Sequence, residues 1–239
     1  MADISYGVPV AARTGLLGFL AEAVSSLANR RLIAPAAIFV VLLTATNILI
    51  ARNLPVEGAA LPIPFAIAAA ARLVALLVFA VAFLRILAGS SRPPWKPDSA
   101  FWLYGVAVLF GFGIAIAARL VLRADGDPMR DAAAGLVVNF VSAPFAAWFA
   151  AIAVERPLAW RPGPWMREFR AWLPALLLWS ILILLPLGQL HAGIDRFLIG
   201  GSVGQWFWPL ALGDGPLSAL LFLLSLAFGA TAYRHVARA

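Results

Sequence analysis

The chain has 239 residues, of which 63% are hydrophobic and 12% charged, against about 45–50% and about 25% in soluble domains. A water-soluble globule is excluded, since too little polar surface exists to face water, and most of the chain must be solvated by lipid. The net charge of +7 does not point to nucleic acid, because the basic residues flank apolar runs, where membrane topology needs them. The absence of cysteine removes disulfides, thiolate metal sites and cysteine nucleophiles together.

Taken in chain order, residues 14–31, TGLLGFLAEAVSSLANRR, come first. Leu16, Leu17, Leu20, Val24 and Leu27 form one stripe of a 3.6-period helix. Such a helix either lies on the cytoplasmic leaflet as an interfacial amphipathic element or docks on the inner face of the bundle. The first long apolar run starts only near Leu32, and no apolar stretch with a small-residue cleavage site precedes that run, so the first span is expected to be an uncleaved anchor. The organisation expected is a cytoplasmic N-terminal segment, 1–32, followed by a membrane domain, 33–239.

A helix needs about 20 apolar residues to cross the hydrocarbon core, and only helices satisfy their own backbone groups there without a closed barrel. Six stretches qualify: 33–51, 64–87, 101–122, 135–154, 172–190 and 216–235. The fold class expected is therefore all-α, a polytopic bundle of six transmembrane helices. The stretch IDRFLIGGSVGQWFWPLALGDG is apolar enough to suggest a seventh span. Asp195 and Arg196 open it and glycines interrupt it, so 194–212 reads as an interfacial or re-entrant segment on the outer side. Small residues let helices approach closely in lipid. Ala107, Gly111 and Ala115 in the third span, and Ala143, Ala147 and Ala151 in the fourth, predict a close contact between those two; Ser218, Ser225 and Gly229 mark the sixth.

Orientation follows from Lys and Arg near the span ends. The N-terminal segment, the loops at 85–100 and 155–171, and the C-terminus hold twelve, while the opposite side holds five: Arg52, Arg119, Arg123, Arg130 and Arg196. Both termini are expected in the cytoplasm. The loop at 155–171 interleaves Trp160 and Trp165 with Arg161, Arg167 and Arg170. That pattern suits positive-inside anchoring, or a lipid-interface site on an anionic leaflet. Membrane lipids, anionic ones among them, are the partners expected.

Arg72 stands inside the second span, roughly 12 Å deep at 1.5 Å per residue, where a lone charge costs at least about 2.5–3.5 kcal/mol. Its candidate partners at similar depth are Asn47, Asn139, Ser142 and Arg119, with no carboxylate among them. One reading makes this an anion or lipid-phosphate site. The other makes it interhelical hydrogen bonding with snorkelling.

Catalytic and metal readings find less support. Gly200-Gly201-Ser202-Val203-Gly204 matches G-x-S-x-G, which has meaning only between a strand and a helix. Asp125, Asp127 and Asp131 lack calcium-loop spacing and are flanked by Arg123 and Arg130. His191 and Asp195, one helical turn apart, are too few for a metal site, so neither a metal nor a cofactor is expected.

The fourth span and its loop, FAAWFAAIAVERPLAWRPGPWMREFRAWLPALLLW, the terminal AFGATAYRHVA and the N-terminal SSLANRRLIAPAAIF together resemble a family of six-span bacterial inner-membrane proteins. That family is related to the membrane domain fused to some glycerophosphodiester phosphodiesterases. The resemblance implies a multi-pass architecture in a bacterial inner membrane and supplies no catalytic residues. The function expected is that of a lipid-associated or membrane-organising protein without intrinsic catalysis. The alternative is a small transporter or permease-like subunit with an anion site around Arg72.

Overall fold

The computed structural model of the chain describes residues 10–54, 60–122, 127–142, 145–154, 163–166, 169–199 and 204–237. Among these the regular structure is helical throughout. Helix α1 (Val10–Ser26) leads through a 3₁₀ turn at Arg30–Leu32 into α2 (Ile33–Arg52), followed by α3 (Ile63–Leu87) and α4 (Ser99–Leu122). Next come α5 (Pro128–Ser142), α6 (Ala146–Val154), the single turn α7 (Gly163–Met166) and α8 (Phe169–Trp179). A π turn at Ser180–Leu184 joins α8 to α9 (Leu185–Ile199), and α10 (Phe207–Ala237) closes the chain. Five helical runs among the described residues are long and apolar enough to cross a membrane, and the protein is a multi-pass membrane protein of the helical-bundle class.

Local chemistry sets the helix ends. Asn29 Oδ1 accepts from the Arg31 amide at 3.0 Å, Asp98 Oδ1 from the Phe101 amide at 3.1 Å, and Asp127 Oδ1 from the Met129 amide at 2.9 Å. Each satisfies a donor that a helix start leaves free. Gly89, just past α3, has φ +70°, the left-handed conformation that ends helices at low steric cost.

The predicted fourth span is present as two helices, α5 and α6. The sequence between them holds Pro144, which cannot continue a helix without losing a backbone bond. Within 194–212, expected as an interfacial or re-entrant segment, the described residues are helical: one candidate span runs on to Leu198 and another begins at Gly204. The sixth expected span, 216–235, begins earlier than expected, and Pro216 lies inside α10.

The core has two parts. Phe39, Phe79, Phe83 and Phe222 stack between α2, α3 and α10, with Phe39 to Phe79 at 4.9 Å and Phe39 to Phe222 at 5.1 Å. Phe19 and Ala23 of α1 join Trp172, Trp179 and Phe228 in the second. The docked face of α1 is thus Phe19–Ala23, and the leucine stripe read from the sequence leaves Leu17 and Val24 exposed. The predicted contact between spans three and four is also modified. Helix α4 does neighbour α5 and α6, yet a Cβ on Gly111 would meet nothing within 4 Å, whereas one on Gly229 of α10 would lie 3.2 Å from the Ala146 carbonyl oxygen. The close approach of α6 is to α10.

At one end of the bundle Arg85 is fully buried. Its guanidinium donates to the carbonyls of Ala153 at 2.9 Å, Pro93 at 3.0 Å and Lys96 at 2.8 Å, and to Asp98 at 2.6 Å, tying together α3, the loop, α4 and α6. Burial alone would raise the Asp98 carboxyl. The Arg85 hydrogen bond, the Phe101 amide and the charges of Arg85 and Arg92 outweigh it and hold Asp98 below its ordinary value of 3.8.

Helices α2 and α10 approach most tightly at Gly215. A Cβ there would overlap Thr44 Oγ1 and come within 2.7 Å of the Thr44 Cβ. Gly215→Ala is expected to destabilise the protein by about 1–3 kcal/mol, the usual range for overpacking, and to lower the thermal unfolding midpoint in detergent. Adding Thr44→Gly should recover part of the loss, which no other position in α2 should do.

Candidate functional site

Four helices each carry a polar residue on a face that otherwise packs inward. In α2 the buried positions Phe39, Leu43 and Asn47 recur every four residues, so Asn47 continues an apolar stripe. In α3, Arg72 falls between buried Ala68 and Ala75 on the same helical spacing. In α10 the buried positions Ala211, Asp214 and Ser218 do likewise. In α9, His191 and Asp195 are one turn apart and therefore share a face.

The bundle brings these into one chain of polar contacts. Arg72 Nη1 donates to Asn47 Oδ1, and Asn47 Nδ2 donates to Asp214 Oδ2. The other carboxylate oxygen of Asp214 lies 2.5 Å from His191 Nδ1. His191 Nε2 in turn lies 3.5 Å from Asp195 Oδ2. Ser218 Oγ stands 3.4 Å from His191 Nδ1. Exposure rises along the chain: the Asp214 side chain is 0% exposed, His191 22% and Asp195 44%. Beyond the cluster, the Arg52 guanidinium sits over the rings of Phe207 and Trp208, 5.1 and 4.5 Å from their centroids, joining the end of α2 to the start of α10 by a cation–π contact.

This geometry corrects the premise that Arg72 has no carboxylate within reach. Asp214 is one amide away, and its charge together with the Asn47 bond offsets much of the cost of burying Arg72. The grouping of His191 with Asp195 alone is likewise incomplete. His191, Asp195 and Asp214 offer ligand atoms that all lie within 4.8 Å of one another, a set of nitrogen and oxygen donors able to hold a cation. A serine-protease-like relay does not form. Ser218 and Asp214 meet the same imidazole nitrogen, where a relay needs one on each.

Of the other residues singled out in the sequence, Trp165 packs on Tyr233, ring centroids 5.5 Å apart, and so faces protein. Trp160, Arg161, Arg167, Asp125 and Gly200–Val203 lie outside the described residues, as do the side chains of Arg119, Asn139, Ser142 and Arg170. Asp127 pairs with Arg130 at 3.4 Å on the surface. At the opposite end of α10, Glu22 of α1 receives Arg234 at 3.0 Å and His235 at 2.7 Å, which pins the N-terminal helix.

A separate apolar cavity of about 450 Å³ opens beside α4, α6 and α10, lined in part by Tyr104, Gly111, Phe149, Trp179, Phe222 and Gly229. Next to it the π turn interrupts the α8–α9 run, a feature frequent at functional sites. Trp179 Nε1 and Ser180 Oγ are buried there without a hydrogen-bond partner among the described residues. Compared with known proteins, the chain has no significant match to a family model, a curated protein or a solved structure, so any function rests on the residues themselves.

Proposed function

We propose that the protein is a small membrane transporter or permease-like subunit that takes up a cation at the site joining Asn47, Arg72, His191, Asp195 and Asp214. The observation that carries this reading is the chain of ionisable groups running inward from half-exposed Asp195 to fully buried Asp214. Ionisable residues inside a bundle are costly and most often mark an ion path. The groups facing the open side are a carboxylate and an imidazole, with the Arg72 guanidinium held behind Asn47, so a cation fits the site better than the anion that Arg72 alone suggests. The excess of Lys and Arg in the terminal segments and the loops on their side supports cytoplasmic termini, and the resemblance noted from the sequence supports a bacterial inner membrane.

The test is flux in proteoliposomes, read by internal dyes for protons, alkali cations and divalent metals. Wild type should move at least one of these above empty vesicles, and Asp214→Asn, reconstituted to the same density, should lose at least tenfold of that rate. Flux indistinguishable from empty vesicles for every cation, or a variant as fast as wild type, would sink the reading.

A lipid-associated role is a second reading, favoured by the apolar cavity, whose volume falls within the range of about 300–1,000 Å³ common for small-molecule sites. Gly111→Leu projects into open space there. Native mass spectrometry should find lipid retained by wild type and reduced in this variant; equal lipid on both would count against a lipid in the cavity.

A further inference from the structure

The imidazole of His191 uses only one of its nitrogens on Asp214. An ionised carboxylate can only accept, so the Nδ1 facing Asp214 carries a proton, and in the neutral imidazole Nε2 then presents its lone pair. That lone pair lies 3.5 Å from Asp195 Oδ2. Two donors bound to a tetrahedral zinc at about 2.0–2.1 Å stand roughly 3.4 Å apart, so the two atoms are already spaced to share one ion. Their placement one turn apart on α9 holds that spacing with a rigid helix.

The groups behind them match what metal-binding histidines need. Asp214 receives the far N–H of the imidazole, fixing its tautomer and ring plane. Its other oxygen is held by Asn47, and Asn47 by Arg72. A carboxylate that orients a histidine in this way raises the basicity of the ligating nitrogen. Arg72 stands on the far side of Asn47, so its charge backs the carboxylate. On the open side, the partial exposure of His191 and Asp195 leaves room for an ion to arrive with water. With nitrogen and oxygen donors and no cysteine in the chain, the set suits a borderline ion of the zinc class better than a thiolate-seeking one.

We infer that His191 Nε2 and the Asp195 carboxylate bind a divalent first-row transition-metal ion, zinc or one of similar chemistry, with Asp214 holding the imidazole from behind and water completing the coordination. Two protein ligands and an open side make an exchangeable site. The inference names the ion for the cation-uptake reading and rests on that reading for the ion's movement, not for its binding.

The full-length protein, purified in detergent with a tag free of histidine, is dialysed against Zn²⁺ and assayed for bound metal and affinity. The background is low, because the chain has two histidines and no cysteine. The second histidine, His235, is paired with Glu22 at 2.7 Å at the other end of α10 and serves as an internal control. One zinc per wild-type chain is expected. His191→Ala and Asp195→Asn should lose it, Asp214→Asn should weaken it about 10–100-fold, and Glu22→Gln should leave it unchanged. Asp195→Asn alters a half-exposed side chain, so a monodisperse elution profile will show that loss of metal is not loss of fold. No stoichiometric zinc on wild type, zinc retained by folded Asp195→Asn, or zinc lost only with Glu22→Gln would overturn the site. Cation flux without zinc binding would overturn the metal site and leave transport standing. Zinc binding without any flux would do the reverse.

Discussion

Asp214 is a carboxylate with no exposed surface inside a lipid-solvated bundle, and the geometry around it follows from the need to satisfy that charge. Leaving it buried and unpaired would be costly. Asn47 of α2 and His191 of α9 supply direct partners, and Arg72 of α3 supplies the opposite charge through Asn47. In lipid, where the hydrophobic effect does not press helices together, such contacts and close packing define which faces meet. The same residue that joins these helices therefore also makes the site.

Helix α10 is the spine of this arrangement. Gly215, beside Asp214, lets α2 come close enough for Asn47 to reach the carboxylate. Gly229, in the C-terminal third of the helix, allows α6 a close approach, and Arg234 and His235 fasten α1 at the same far end. The two ends differ in character. Around Arg85, three carbonyls and the Asp98 carboxylate hold a fully buried guanidinium among protein acceptors, which suits a structural tie. Around His191, the second imidazole nitrogen meets only a half-exposed carboxylate at 3.5 Å, which suits binding.

The helical class and the approximate spans were legible because twenty-residue apolar runs have few alternatives. Arg72 was legible too, since a charge in such a run stands out against its neighbours, and Asn47 could be paired with it by depth alone. Asp214 was not. Its setting, LGDGPLS, carries two glycines and a proline, which read as a loop, and that placed the carboxylate outside the membrane. Nothing local signals that Gly213, Gly215 and Pro216 stay helical; the tight crossing with Thr44 is a tertiary fact. That α5 and α6 are separate helices was missed for a related reason, since Pro144 sits in a sequence run whose average apolarity hides it. The π turn at Ser180–Leu184 has no sequence signature among the residues that form it.

The central claim is that Arg72 and Asp214 belong to one connected network, although they do not touch. A double-mutant cycle tests this most directly, with thermal unfolding in detergent followed for Arg72→Leu, Asp214→Leu and the pair. A connected network predicts that Asp214→Leu alone, which leaves the half-buried Arg72 without its opposite charge, is sharply destabilising. It also predicts that the double variant is more stable than the two losses added, by about 0.5–3 kcal/mol of coupling. Strictly additive losses, or a harmless Asp214→Leu, would contradict it.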